Sequence, residues 1–195
     1  MSFLCLLLGY LLGSIPSGWL AGRWLKGIDL RELGSGSTGA TNVLRQVGKG
    51  PALTVFVIDV GKGAIAVLLA RALGASNWIQ VLAGLTALAG HIWPVWLNFK
   101  GGKAVATGFG MFLGLAWPVG LASFGVFLAT LWLFRIVSLS SVVAAISLPL
   151  LMILLSDSKA YLLIALVAMG LVLWRHRSNL SRILEGSEPK IGQGG

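Results

Sequence analysis

The chain has 195 residues, 56% of them apolar and 11% charged, and a mean hydropathy of +0.89, which excludes an ordinary soluble domain and points to a protein solvated by a bilayer. Its net charge of +9 is scattered over short segments between apolar runs and forms no continuous stripe or arm. No nucleic-acid partner is therefore expected, and a membrane-topology bias accounts for the charge.

The first apolar run, Phe3–Leu25, lacks a basic leader and a small-residue cleavage site and reads as a retained span. It contains Cys5, the single cysteine, so no disulfide framework or cysteine metal cluster is expected. Gly13-Ser14-Ile15-Pro16-Ser17-Gly18 interrupts it and predicts a kink where serine hydroxyls bond freed carbonyls. Close helix packing through small residues is the alternative.

The polar loop Lys26–Gly50 carries Gly34-Ser35-Gly36-Ser37-Thr38-Gly39-Ala40-Thr41-Asn42, then Arg45. Gly34, Gly36 and Gly39 predict positive-φ turns that bring backbone close to an anion, while Ser35, Ser37, Thr38, Thr41 and Asn42 supply uncharged donors and Arg45 a forked cation.

The second span, Pro51–Gly74, places Asp59 and Lys62 three residues apart on one helix face. Ionisable groups at membrane depth are costly unless paired, so the pair either serves function or fixes helix packing. The third span, Trp78–Leu97, ends in Gly90-His91-Ile92-Trp93-Pro94, with aromatic residues suited to an interface and a proline that breaks the helix. Asn98-Phe99-Lys100-Gly101-Gly102-Lys103 follows as a second cationic turn opening onto a helix start, where an anion is favoured.

Val105–Phe134 is too long for one span, and Trp117-Pro118 divides it into a fourth and a fifth helix. A sixth covers Val137–Leu155, the turn Ser156–Lys159 reverses the chain, and a seventh covers Ala160–Trp174. Residues 176–195 form a polar tail. The predicted fold is an all-α integral membrane protein with seven transmembrane helices, some short or broken, in a single domain over residues 1–195. Five spans are the alternative, with the fourth and fifth merged and the last two partly interfacial.

Seven spans put both glycine loops, Arg135 and the tail on one side with most cations, leaving Arg71 and Lys159 on the other. The positive-inside bias then predicts a cytoplasmic motif face, an outside N-terminus and an inside C-terminus.

No GxSxG elbow, HExxH, GK[ST] loop or close acidic pair suited to a divalent metal is present, so no metal is expected. Two glycine turns, several cations and one histidine on one face instead suit phosphate groups.

Together, Gly34–Asn42, Asp59-x-x-Lys62-Gly63, Gly90-His91-x-x-Pro94 with Phe99–Lys103, and the tail Arg175-His176-Arg177-x-Asn179-Leu180-x-Arg182 with Gly186-x-Glu188 resemble the bacterial acyl-phosphate:glycerol-3-phosphate acyltransferases. The resemblance spans nearly the whole chain. Ser37 stands where that family usually has Asn, and Ala104 where Gly is usual.

The resemblance implies transfer of a fatty acyl group from acyl phosphate to the 1-hydroxyl of glycerol 3-phosphate, the first acylation step of phospholipid synthesis, in the bacterial inner membrane and without a cofactor. It implies as partners acyl phosphate, glycerol 3-phosphate, membrane lipids and the enzyme that makes acyl phosphate. On this reading His91, Ser35, Lys103 and Arg45 are catalytic. Gly34, Gly36, Ser37, Thr38, Gly39, Thr41, Asn42, Lys100, Gly101, Gly102 and Asn179 bind substrate, and Asp59, Lys62 and Glu185 support them. Asn179 could otherwise cap a tail helix, and Glu185 could pair with Arg182.

His91 acts as general base or as a donor to phosphate. Ser35 as an acylated nucleophile is the less supported scheme, because no carboxylate–histidine pair stands beside it. The His-x4-Asp pair of CoA-dependent glycerolipid acyltransferases is absent, since Trp96 stands five residues beyond His91. The rival from another class is a transporter of a phosphorylated anion, which also uses polar residues and glycine breaks within helices.

Overall fold

The structure is a computed structural model and describes residues 1–192. Among these no strand occurs, as expected of a chain whose backbone polar groups must be satisfied within each apolar segment. The helices are α1 (Ser2–Gly13), α2 (Ser17–Lys26), α3 (Ala40–Gln46), α4 (Lys49–Ala72), α5 (Asn77–Ile92), α6 (Val105–Leu115), α7 (Trp117–Phe134), α8 (Val137–Leu155), α9 (Lys159–Arg175) and α10 (Arg177–Leu184).

Five segments among the described residues are long and apolar enough to cross a bilayer: Ser2–Lys26, Lys49–Ala72, Asn77–Leu97, Trp117–Phe134 and Val137–Leu155. The α9–α10 pair, bent by 60°, makes a sixth if counted as one span. At 11 residues α6 is about 16 Å long, roughly half the apolar thickness of a bilayer. The chain is thus a multi-span integral membrane protein, and its expected fourth span is only half a span.

The chain divides into two compact units, Met1–Leu115 and Ala116–Gly195, the second described to residue 192. In the first, helices are drawn together by missing side chains. A Cβ on Gly13 of α1 would strike the Ala87 carbonyl of α5, one on Gly63 of α4 the Thr107 carbonyl of α6, and one on Gly110 of α6 the Val60 carbonyl of α4. Lipid is as apolar as leucine, so close backbone approach and dispersion hold such helices. An apolar cluster, Leu30, Val43, Ala52 and Val55, pins α3 and the preceding loop onto the start of α4.

The α4–α6 contacts set the depth of the site. Asp59 lies about 15 Å along α4 from Lys49 at a rise of about 1.5 Å per residue. Because Gly63 meets Thr107 and Gly110 meets Val60, α6 begins level with the middle of α4.

In the second unit α7 packs on α8 and α8 on α9, and Ser123 Oγ on α7 donates to the Ala144 carbonyl of α8. The Arg175 and Arg177 guanidinium groups lie 5.5 and 5.4 Å from the Trp174 ring centroid. That pairing of an amphipathic ring with cations suits a membrane–water boundary.

Candidate active site

The first span breaks where expected. Pro16 cannot donate a backbone hydrogen bond, so α1 ends at Gly13 and α2 restarts at Ser17. Ser14 Oγ donates to the Leu11 carbonyl at 2.9 Å, and Trp96 Nε1 donates to Ser14 Oγ at 3.0 Å. The freed Ile15 carbonyl accepts from Lys62 Nζ at 3.1 Å. Ser17 does something other than bond a carbonyl: its hydroxyl donates to Asp59 Oδ1 at 2.6 Å.

Asp59 is therefore a hub. Its Oδ1 also pairs with Lys62 Nζ at 2.8 Å and stands 3.7 Å from His91 Nδ1. Thr107 Oγ1, on the first turn of α6, lies 3.2 Å from the same His91 nitrogen. Asp59 and Lys62 are 1% and 4% exposed, so the pair is stable there only because each charge is neutralised and hydrogen-bonded. Thr107 is an isolated hydroxyl in an apolar run and carries no spacing signal, while the sequence predicts for Ser17 only a carbonyl partner at the kink.

A small cavity of about 10 Å³, room for about one water-sized group, opens against this hub. Thr38, Lys62, His91, Ser17, Ser14 and Pro94 are among its lining residues. Three motifs far apart in sequence thus line one cavity, with the break in the first span as its other wall.

The Gly34–Asn42 loop differs in part from expectation. Gly34 and Gly36 have φ of +59° and +65°, but Gly39 is extended at φ −82° and caps α3. Asn42, expected to meet substrate, is turned inward. Its Nδ2 donates to the Leu30, Leu33 and Ser37 carbonyls at 2.9, 3.0 and 2.9 Å, and its Oδ1 accepts from the Ser35 amide at 3.3 Å. A Cβ on Gly34 would strike that Oδ1. The loop is folded around Asn42, which leaves Ser35 exposed, Ser37 and Thr41 half-buried and Thr38 buried in the cavity wall. Arg45 is exposed in the last turn of α3, a helix inside the segment Lys26–Gly50 that the sequence predicts to be loop.

The second glycine turn takes its shape from residues other than its glycines. Its left-handed residues are Asn98, Phe99 and Ala104, at φ +51°, +61° and +58°, rather than glycines. Gly101 and Gly102 serve close approach. Their amides donate to the Ile92 and His91 carbonyls at 3.0 and 3.1 Å, and a Cβ on Gly102 would strike His91 Nε2. Lys100 is exposed and Lys103 half-buried, on either side of these two glycines.

Asp29 and Arg31, just before the first glycine loop, were not singled out from sequence. Arg31 Nε and Nη2 donate to Asp29 Oδ1 and Oδ2 at 2.9 and 2.6 Å, and Trp19 Nε1 reaches Oδ2 at 3.2 Å. The Arg31 guanidinium holds the Asp29 carboxyl well below the usual carboxylate range, outweighing the opposing effect of burial. A charged pair two residues apart that opens a motif was the available signal.

Asn179 and Glu185 belong to the second unit. Asn179 is buried within α10 and does not cap it; its Nδ2 donates to Glu188 Oε1 at 2.6 Å. Glu188 also accepts from Ser138 Oγ at 2.7 Å and Arg182 Nε at 2.7 Å. Burial pushes the Glu188 carboxyl up, but these three donors together leave it below its ordinary range. Arg182 thus pairs with Glu188 and not, as in the alternative reading of Glu185, with that residue, and exposed Glu185 accepts from Ser181 Oγ at 2.8 Å. A glutamate three residues further on competes better because it is buried beside two further donors.

A family model described as glycerol-3-phosphate acyltransferase matches residues 3–186. Relatives bearing that name include one from Parasynechococcus marenigrum (strain WH8102), 74% identical over 98% of this chain and 91% of its own. Another, from Synechococcus sp. (strain CC9902), is 71% identical over 100% of this chain and 97% of its own. A crystal structure of PlsY (YgiH), an integral membrane glycerol 3-phosphate acyltransferase in its glycerol 3-phosphate form, superposes with a TM-score of 0.93 at 40% identity, covering 98% of this chain and 96% of that one. Its lysophosphatidic acid form superposes at 0.89 and 39% identity, covering 98% and 95%. With the motifs gathered as described and the match running through nearly the whole sequence, the chain belongs to the glycerol-3-phosphate acyltransferase family.

Proposed function

We propose that this protein transfers a fatty acyl group from acyl phosphate to the 1-hydroxyl of sn-glycerol 3-phosphate, giving lysophosphatidic acid and phosphate. The observation that carries this is the convergence of Thr38, Lys62 and His91, from three separate motifs, on one cavity beside two loops rich in cations and hydroxyls. The names of the two superposing structures, a glycerol 3-phosphate form and a lysophosphatidic acid form, support the same acceptor and product.

An acyl phosphate is a mixed anhydride and needs no further activation, only alignment and neutralisation of developing charge. The acceptor's hydroxyl oxygen attacks the acyl carbon. The bond from that carbon to the phosphate oxygen breaks with its electron pair leaving on phosphate, and the hydroxyl proton passes to a phosphate oxygen. The Gly34–Thr41 loop holds the acyl-phosphate head, while Arg45, Lys103, Ser35 and His91 gather glycerol 3-phosphate and His91 donates to phosphate. Asn179, whose amide Glu188 orients, is a substrate-binding candidate on the family resemblance alone. Asp59 and Lys62 fix the cavity wall. The site faces the cytoplasm of the bacterial inner membrane, where the soluble acceptor is found.

Purified protein in detergent, given acyl phosphate and glycerol 3-phosphate without metal or CoA, is expected to release lysophosphatidic acid and phosphate in equal amounts. Absence of product from folded protein overturns the assignment. His91→Ala is expected to lower kcat/KM by about a hundredfold, within the range for a positioned donor or base. Near-normal turnover of that variant at saturating substrate would remove His91 from the reaction. Labelled acyl phosphate without acceptor should leave no acyl group on Ser35.

A further inference from the structure

We propose that Arg31, locked by Asp29, is a positioning residue that sets the conformation of the Asn98–Lys103 turn and thereby places Lys100 and Lys103 against the phosphate of the acceptor. This rests on the acyl-transfer reading above. The geometry runs from α2 to the second glycine turn through one side chain. Trp19 Nε1 on α2 holds Asp29 Oδ2, and Asp29 takes the Arg31 backbone amide at 3.0 Å as well as Nε and Nη2 of its guanidinium. With that edge of the fork fixed, Arg31 Nη1 reaches across 66 positions of sequence to the Leu97 carbonyl at 3.2 Å.

Leu97 O is the point from which the turn is hung. It also accepts the Lys100 amide at 3.1 Å, and the Phe99 amide bonds the Pro94 carbonyl at 3.0 Å. Between these bonds Asn98 and Phe99 both have positive φ, a conformation that persists in non-glycine residues only where surroundings impose it. Arg31 is part of that imposition: its guanidinium and the Lys100 amide converge on one carbonyl, closing the left-handed turn that aims Lys100 and leads into Gly101, Gly102 and Lys103. Only a planar fork can hold a carboxylate with one edge and a carbonyl with another; a lysine ammonium at the end of a flexible stem cannot bridge the two at these positions.

The consequence is kinetic, because a misplacement of about 1 Å in a charged group can cost a large factor in rate or binding. Arg31→Lys, which keeps the charge, is expected to raise KM for glycerol 3-phosphate about tenfold while kcat changes less than about threefold and KM for acyl phosphate stays put, as for loss of acceptor binding. Asp29→Asn keeps the shape of the pair and is expected to shift the same constant in the same direction by about threefold, a neutral acceptor being weaker than a charged one.

Hydrogen exchange of the detergent-solubilised protein supplies a readout independent of turnover. Amides of residues 98–103 should exchange at least about tenfold faster in Arg31→Lys, with α4 and α5 unchanged. Wild-type KM in Arg31→Lys overturns the proposal, as does unaltered exchange of the turn. So does a fall in kcat that tracks folded protein with KM unmoved, which is the mark of a structural residue alone. If wild-type protein forms no lysophosphatidic acid, the acyl-transfer reading fails, and the exchange arm still judges whether Arg31 holds the turn.

Discussion

Asp59 and Lys62 form a nearly fully buried pair at the centre of four helical segments, α2, α4, α5 and α6, and neither can be neutralised alone without stranding the other. Lys62→Met should lower stability by about 3–5 kcal/mol, the range for breaking a buried ion pair, and the Ile15 carbonyl keeps only the Ser17 amide of its two donors. Combining it with Asp59→Leu should recover part of that loss, which thermal unfolding of the three variants in detergent measures. Ala104 presents the opposite case. It sits at φ +58°, so Ala104→Val should cost about 1–2 kcal/mol by placing a β-branched residue in the left-handed region, while Ala104→Gly should be neutral or stabilising by up to about 1 kcal/mol. The sequence marked this position as a departure from the family pattern, but only backbone dihedrals reveal that a methyl group is held where glycine is easier.

Asp29 carries a pH dependence at the same scale. Its carboxyl titrates below its unfolded value near 3.9 because Arg31 stabilises the charged form. A depressed carboxyl contributes stability that is complete above the unfolded value and lost as pH falls through the folded one. Thermal stability of wild type should therefore fall more steeply than that of Asp29→Asn when pH is lowered below about 4.

At the scale of elements, the broken first span was legible because Pro16 removes a donor in a segment where water cannot replace it. The helix α3 was not. Its seven residues are too few to form by propensity and exist because Val43 is buried against Leu30 and Val55. Nor could sequence show that α6 begins halfway down α4, since a cationic glycine turn reads as membrane surface until the glycine contacts between α4 and α6 fix its level. Gly110→Val tests those contacts: its side chain would strike the Val60 carbonyl, and overpacking of this kind should cost about 1–3 kcal/mol or more in an unfolding assay.

Across the whole molecule, membrane residence and the order of the apolar segments follow from composition and length alone, because every span must satisfy its backbone polar groups internally. The proposed orientation follows from where cations fall. In a Cys5→Ala background, membrane-impermeant maleimide on intact cells should label Asp157→Cys but reach Lys49→Cys only after permeabilisation, and the reverse pattern overturns the orientation. The motif residues were also legible, since glycine, hydroxyl and cationic residues stand out against an apolar chain. What the tertiary structure alone decided is the task of each. It turned Asn42 inward, gave Gly102 to His91, joined Arg182 to Glu188 and hung a loop from Arg31. Those assignments depend on which buried polar groups come within about 3 Å of one another, a matter of packing between distant segments that no local spacing encodes.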